Sequence, residues 1–364
     1  MVYEKKVAIA TLIFVLLASV ASACAPAAEQ SSTAGENTST TDLDGIKTYL
    51  LGKSSELTTS SKSLKAASDK YYEMAKTANF DYAALWASNA VEVSAALTAA
   101  KSAWMVASPL YEQMEGIVAG TPNLAEYDVI LDAGASGAED PENAVPFDLT
   151  LPDGRILPKP GNLFGVLEST LWGTYADYTS GIEADLDGNG SIDFGENLPD
   201  ANVLKAGADA LDQYTTELGS AASAWQPTES DAFTALVVMV PTMSEYFNSW
   251  KNSRFILGDA SEQRDFVVIS RLLDIQNILG SLQIVYGEVK PLVESADSAQ
   301  AAQIEQSLAD LKRFVADVHA KEQNGYQHTP EEADVLGAEA QNRATAIAGQ
   351  VAQIAAKLNI SVEE

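Results

Sequence analysis

The sequence has a single cysteine, Cys24, and only two histidines among its 364 residues. One cysteine excludes an intrachain disulfide. Two histidines leave few nitrogen ligands for a transition metal, and the sequence contains neither an H-E-x-x-H motif nor a G-x-S-x-G nucleophile elbow. Because the usual parts of a hydrolase are missing, we expect no enzymatic activity.

Basic residues are also scarce, since 22 Lys and Arg stand against 51 Asp and Glu and the formal net charge is −29. Nucleic acids and anionic lipid headgroups would repel such a chain, so neither is an expected partner. We interpret most of the carboxylates as a solvated surface. Solubility, a salty habitat or the attraction of cations would each explain their excess.

The first residues have the pattern of an export signal. Two lysines precede an apolar run over 7–20, and small residues then lead to Cys24. The run is too short for a comfortable membrane span. We therefore predict a lipoprotein signal peptide over 1–23, lipidation at Cys24 and a flexible tether over 24–42. The lipid would hold the protein to a membrane on the extracytoplasmic side, in the periplasm or at the cell surface. A buried structural thiol is the alternative for Cys24.

Beyond the tether, apolar residues recur at helical spacing. We predict helices over 43–79 and 81–119, the second kinked near Pro109 and ended by Gly120. Further apolar stripes follow the same spacing. They are Leu272, Ile275, Leu279 and Leu282; Ile304, Leu308, Leu311, Val315 and Val318; and Ile347, Val351, Ile354 and Leu358.

Two helix starts and two interruptions complete the pattern. Thr329 with Glu332, and Thr228 with Asp231, are spaced as capping boxes. Residues 121–161 are loop sequence with room for a small hairpin that turns at 152–154, and 181–200 form the second interruption. These features predict an all-α fold.

We expect two antiparallel helical bundles within residues 43–364, with halves over about 43–225 and 226–364.

Residues 185–196, DLDGNGSIDFGE, match the complete EF-hand loop pattern D-x-[DN]-x-[DN]-G-x5-E. Gly190 permits the sharp turn of such loops, and Ile192 takes the position that usually packs against a partner loop. Hard oxygen ligands without His or Cys indicate Ca²⁺. The predicted ligands are Asp185, Asp187, Asn189, the backbone carbonyl of Ser191, Asp193 and Glu196.

The surroundings of this loop favour a structural clip over a calcium switch. Gly181 lies before the loop, Pro199 lies after it, and only one such loop is present. A sensor needs a mobile pair of helices, and extracellular calcium would fill a weak site permanently. A polar loop that matches the pattern by chance is the alternative.

Several helical segments resemble the imelysin-like family. LFGVLESTLWG (163–173) resembles the family's G-x-H-x-x-E segment, and SEYFNSWKNSRF (244–255), residues 265–289 and residues 331–358 have the same character. The resemblance covers roughly residues 45–360. It implies paired helical bundles in an exported, often lipid-anchored protein tied to iron or haem acquisition and working with transporter components.

The resemblance also shows a departure, because the family's His falls at Gly165 and its Gly at Leu163, while its Glu is kept as Glu168. Glu115 and Glu168 would then supply oxygen ligands, and Arg271 would pair with Asp274 or hold a carboxylate. A simple ion pair on one helix is the alternative for Arg271 and Asp274. The expected family cleft comprises Tyr111, Glu115, Glu168, Arg271 and Asp274.

The leading hypothesis is a lipid-anchored, extracytoplasmic binding protein for iron, haem or another metal, with one structural calcium ion. The alternative is a surface lipoprotein that binds polysaccharide or another envelope component through the loops around 121–180. A metallopeptidase is a third possibility, which Gly165 opposes. The tryptophans are predicted core aromatics that would also suit a carbohydrate cleft: Trp86, Trp104, Trp172, Trp225 and Trp250.

Overall fold

The computed structural model describes residues 41–363, so the predicted signal peptide, Cys24 and the tether before residue 41 lie outside the described residues. Within this range no helix is long and apolar enough to cross a bilayer. The prediction of a mostly helical fold is confirmed. The helices are α1 (Asp44–Thr77), α2 (Tyr82–Val118), α3 (Ala125–Asp128), α4 (Leu163–Trp172), α5 (Ala201–Ala224), α6 (Glu229–Met239), α7 (Met243–Asn252), α8 (Arg254–Leu257), α9 (Arg271–Gln323) and α10 (Pro330–Leu358).

The helices pack in two groups that meet along α2 and α9. In the first group α1 packs against α2 and α5, and α4 packs against α5. In the second group α10 packs against α6, α7 and α9. The division into halves at about residue 225 stays a prediction.

Helices α2 and α9 approach each other closely at Gly116. A Cβ atom there would lie 2.5 Å from Ser281 Oγ and 2.9 Å from Leu282 Cγ, so a larger residue would force the helices apart. This contact brings the C-terminal half of α2, with its acidic residues, against the N-terminal half of α9.

A break in α2 lies at Asn89 (φ −136°, ψ 28°), where no break was predicted, and the helix continues through Pro109. At the break Ser88 Oγ donates to the Ala84 carbonyl at 2.7 Å and contacts Asn89 Oδ1 at 2.9 Å. Side-chain bonds of this kind compete with the helical ladder. Proline spacing alone therefore did not locate this break.

Helix α9 is interrupted at Asp297 (φ −166°, ψ 96°). The chain reverses there into two antiparallel arms, and Tyr286 of the first arm donates to the Ala301 carbonyl of the second at 2.7 Å. Two of the predicted stripes lie on these arms and are buried. On α10 the stripe is buried except for Leu358, which is half-buried.

Both predicted capping boxes are present, at Thr228 before α6 and at Thr329 before α10. The predicted hairpin pairs β1 (Leu149–Thr150) with β2 (Ile156–Leu157). A second antiparallel pair, β3 (Thr179–Glu183) and β4 (Asn197–Pro199), flanks the loop over 185–196. This loop therefore joins two strands and not two helices.

Candidate metal centre

A cavity of about 350 Å³ opens where α2, α7, the start of α9 and the segment before α9 meet. Both charge signs are present in its wall. The lining side chains that matter for its chemistry are Glu115, Asp132, Tyr246, Asp265, Phe266 and Arg271.

Three buried carboxylates converge beside this cavity, and two of them, Glu115 and Asp132, line it. Glu112 and Glu115 lie three residues apart on α2 and therefore share a helix face. Asp132 comes from a π-helical turn, Val129–Ala133, which directly follows α3. One carboxylate oxygen from each residue lies within 4.8 Å of the others, a spacing that could hold one metal ion.

The partners of these carboxylates satisfy only part of their oxygens. Arg271 Nη1 donates to Asp274 Oδ2 at 2.8 Å and to Glu112 Oε1 at 3.4 Å. Tyr246 OH donates to Glu115 Oε1. The second oxygens, Oε2 of Glu112 and of Glu115, are buried without a hydrogen-bond partner among the described residues. Such orphan acceptors are uncommon in folded proteins and indicate a missing donor or ion.

Arg271 is the positive charge at the centre of this cluster. Its guanidinium lies 3.8 Å from the centre of the Phe266 ring and 4.5 Å from that of Tyr246. Arg271 Nη1 lies 4.0 Å from Asp132 Oδ2. The two rings hold the guanidinium in place among the carboxylates.

Burial raises the pKa of four acidic groups here, because a carboxylate loses its hydration in the protein interior. The pKa of Asp128 rises to about 8, through burial and then Glu115, although the hydrogen bond from Tyr111 opposes the rise. The pKa of Asp274 rises to about 6 through burial, against the effect of Arg271. Burial and neighbouring carboxylates also raise the pKa values of Glu112 and Asp132 well above their usual range.

The carboxylate of Glu168, a predicted oxygen ligand, is held by backbone N–H groups. Its carboxylate accepts hydrogen bonds from the backbone N–H groups of Phe266 at 2.6 Å, Val267 at 2.8 Å and Val268 at 3.0 Å. Burial, and then Asp265, raise its pKa to about 8, although these three donors lower it. Glu168 thus fastens the segment before α9 to α4. The three backbone donors occupy most of the hydrogen-bond acceptor positions of its carboxylate.

Gly165 lies beside Asp265 at the edge of the cavity. A Cβ atom at Gly165 would lie 2.7 Å from Asp265 Oδ2, so a side chain there would displace this carboxylate. No histidine of the described chain lines the cavity. His319 instead pairs with Gln276, and the distance from His319 Nδ1 to Gln276 Nε2 is 2.9 Å.

The loop over 185–196 folds around its own carboxylates. Asp185 accepts from the N–H of Gly188 at 2.7 Å and of Gly190 at 2.8 Å. Glu196 accepts from the N–H of Leu186 at 2.9 Å and of Asp193 at 2.8 Å. Oxygens of Asp185, Asp187 and Glu196 lie within 4.8 Å of one another.

Other contacts fasten this loop to the helical core. Lys101 Nζ on α2 donates to the Gly195 carbonyl at 2.6 Å, and the Arg254 guanidinium lies 3.8 Å from the centre of the Phe194 ring. Ile192 does not meet a partner loop, since its side chain is 49% exposed. These contacts thus hold the loop, which connects β3 to β4, against α2 and α8.

The structure brings four of the five predicted cleft residues together. Glu115, Arg271 and Asp274 belong to the cluster, and Tyr111 OH donates to the neighbouring Asp128 at 2.7 Å. Glu168 reaches the cavity only through the segment that it holds. Sequence reasoning missed further members: Glu112, Asp128, Asp132, Tyr246 and Asp265. The spacing of Glu112 from Glu115, and of Asp128 from Asp132, was a usable helical pattern.

A comparison with protein families matched the Imelysin (Peptidase_M75) family over residues 47–358. A comparison with curated proteins found no match.

Proposed function

Because the chain belongs to the imelysin family, we propose that it binds a metal cation in the acidic cavity and serves metal uptake outside the cytoplasm. The supporting observation is a buried excess of negative charge. Arg271 stands alone among five buried carboxyl groups, those of Glu112, Glu115, Asp128, Asp132 and Asp274.

An excess of buried negative charge cannot remain uncompensated, because an unpaired buried charge costs several kcal/mol of folding free energy. Protons or a bound cation must compensate it. The raised pKa values of Glu112 and Asp132 correspond to compensation by protons. A cation at Glu112, Glu115 and Asp132 would release the protons of Glu112 and Asp132 and would use the two orphan oxygens. The same carboxyl groups thus serve two exchangeable states.

The donors indicate the class of metal. Carboxylate oxygens favour hard cations, whereas zinc and copper prefer sites that include imidazole or thiolate. Iron remains the proposed cargo because of the family. Haem fits less well, since the usual axial ligands are His, Cys, Met or Tyr, and the lining offers only Tyr246, which already donates to Glu115.

We propose further that the protein is an exported lipoprotein. The apolar run over 7–20 and the single cysteine at its end support this reading. Lipid on Cys24 would hold the chain at the membrane, where a transporter component would receive the metal.

We also propose that the loop over 185–196 binds one Ca²⁺ ion, with Asp185, Asp187, Asn189, Asp193 and Glu196 supplying side-chain oxygens and Ser191 a carbonyl. The convergence of Asp185, Asp187 and Glu196 fits this ion. The ion would clip the loop, because β3 and β4 are strands in a small sheet and offer no helix pair to move.

A peptidase activity has little support in this chain. The cavity of the described structure has no histidine in its lining, and the sequence has no H-E-x-x-H motif. We propose a binding protein, and expect no cleavage of a mixed peptide library with added zinc. Cleavage that Glu115→Gln abolishes would contradict this.

The metal proposal is tested by thermal melts of chelated full-length protein, with Ca²⁺ added first and then Mn²⁺, Fe²⁺ or Zn²⁺. A ligand of the folded state adds about 2.7 kcal/mol at 100 times its Kd. We expect Mn²⁺ or Fe²⁺ to raise the melting temperature more than Zn²⁺. Glu115→Gln should lose this second rise, while Glu126→Gln, an exposed control on α3, keeps it. No second rise with any metal would overturn the proposal.

The calcium proposal has its own variants in the same experiment. The first rise should vanish in Asp185→Ala and persist in Asp177→Ala, which alters an exposed carboxylate outside the loop. A first rise that survives Asp185→Ala would place calcium elsewhere.

A further inference from the structure

A second pocket, of about 370 Å³, lies between the loop over 185–196, the end of α4 and residues 261–263. It shares no lining residue with the acidic cavity. The family resemblance, the metal proposal and the calcium proposal leave it without a role. We call it the loop pocket. Its lining includes Trp172, Glu183, Phe194, Asn197, Arg254 and Gln263.

Two side-chain amides in its wall have an oxygen that accepts no hydrogen bond from the described residues. Asn197 Oδ1 and Gln263 Oε1 are buried and accept no hydrogen bond from any described residue. The nitrogens of the same amides are in use, since Gln263 Nε2 donates to the Ser249 carbonyl at 3.1 Å and Asn197 Nδ2 to the Gly195 carbonyl at 3.4 Å. These bonds fix the two amide groups, and a molecule that donates hydrogen bonds would satisfy the remaining oxygens.

Aromatic rings form another part of the wall. Phe194 is 44% exposed, although the Arg254 guanidinium lies 3.8 Å from the centre of its ring. Trp172 is half-buried against Trp104, with ring centres 5.2 Å apart. Aromatic faces offer apolar contact to C–H groups, and pockets that combine such faces with a few polar groups are typical ligand sites.

The charge of the wall limits the class of ligand. The carboxylates of Glu183, Asp193, Glu196 and Glu262 outnumber Arg254. Even with a calcium ion in the loop, the lining would not attract an anion. This charge opposes an anionic ligand, while the unpartnered oxygens favour hydrogen-bond donors and the rings favour an apolar face.

From these observations we propose that the loop pocket binds a neutral saccharide. Sugar hydroxyls would donate to Asn197 and Gln263 and to the carboxylate of Glu183, while the C–H face of one ring packs on Phe194. The loop supplies one wall, so the proposed calcium ion would shape a binding site as well as clip a connection.

The test is calorimetric titration of the full-length protein in calcium-containing buffer with neutral tri- and tetrasaccharides of glucose, galactose and N-acetylglucosamine. Polygalacturonate is the anionic comparison. At least one neutral oligosaccharide should bind. Phe194→Ala and Gln263→Ala should each weaken this binding about tenfold, the equivalent of 1.4 kcal/mol. Tyr326→Ala and Gln213→Ala, which alter an exposed ring and an exposed amide far along the chain, should leave it unchanged.

Thermal melts of each variant separate lost binding from lost folding, and Phe194 is exposed enough that its truncation should not unfold the protein. Three results would overturn the proposal: no heat with any neutral oligosaccharide, equal affinity in the pocket and control variants, or binding of polygalacturonate alone. None of these three results depends on whether the acidic cavity binds a metal ion.

Discussion

The acidic cavity and the loop over 185–196 both gather carboxylates, yet they compensate them differently. In the loop, backbone N–H groups donate to both oxygens of Asp185 and of Glu196. In the cavity, Glu112 and Glu115 each keep one buried oxygen without a partner. The hydrogen bonds to these loop carboxylates come from the loop's own residues, whereas the cavity depends on distant segments and on protons or an ion.

This difference explains why the loop is visible as a residue spacing, whereas the cavity was predicted only in part and from a family resemblance. A loop of consecutive residues needs a fixed spacing, and a spacing is a pattern. The cavity needs only that α2, the π-helical turn and α9 meet, and many sequences satisfy that condition. The predictions below test whether the stability of the cavity depends on charge compensation and whether Ile192 of the loop meets another surface.

Arg271→Met should have the largest effect, because it removes the positive charge from the buried cluster. Breaking such a group costs about 3–5 kcal/mol of unfolding free energy. The loss, measured by urea unfolding at pH 7.5 without added metal, should shrink at pH 5, where the cluster takes up protons. Arg343→Met, which breaks an exposed pair with Glu339, should cost less than about 1 kcal/mol. Equal losses at both pH values would argue against a charge effect.

Glu168→Ala should come next, because it leaves three backbone N–H groups of the segment before α9 without an acceptor. We expect a loss of about 2–4 kcal/mol in urea unfolding. Glu168→Gln keeps one acceptor and should lose less. If Glu168 were mainly a metal ligand, both variants would be nearly neutral without metal and would differ only in metal binding.

The pH dependence follows from the raised pKa values. Between the unfolded pKa near 4 and the folded values of about 6 for Asp274 and about 8 for Asp128, the folded state binds more protons than the unfolded state. Stability is therefore full at low pH and is lost as the pH rises, by about 1.4 kcal/mol per pH unit for each excess proton.

Urea unfolding of chelated protein at pH 5, 6, 7 and 8 measures this slope. Asp128→Asn should reduce it, whereas Asp148→Asn, at an exposed position, should not. Stability that rises from pH 5 to 8 would contradict the buried-proton state.

Ile192→Ser should have the smallest effect. The side chain is 49% exposed and meets no partner loop, so the change in stability should stay within about 0.5 kcal/mol. A larger loss, measured in calcium, would mean that a second surface covers this residue.

The helices were largely predictable. Apolar spacing gave α1 and α2 to within a few residues, and the capping boxes at Thr228 and Thr329 are local hydrogen-bond patterns. The break at Asn89 was not predictable from the position of Pro109, because it coincides with local side-chain hydrogen bonds of Ser88. The role of Glu168 was also hidden, since its partners lie about 100 residues away.

By itself the sequence determined the helical class, the local caps and the twelve-residue loop, because each depends on residues within one or two turns of chain. Tertiary structure decided which carboxylates share a cavity. Glu112, Glu115, Asp132 and Arg271 acquire their chemistry only when α2 and α9 close around them and remove water. Burial is a property of the assembled fold, and burial turns these ordinary acidic residues into a site that must hold protons or a cation.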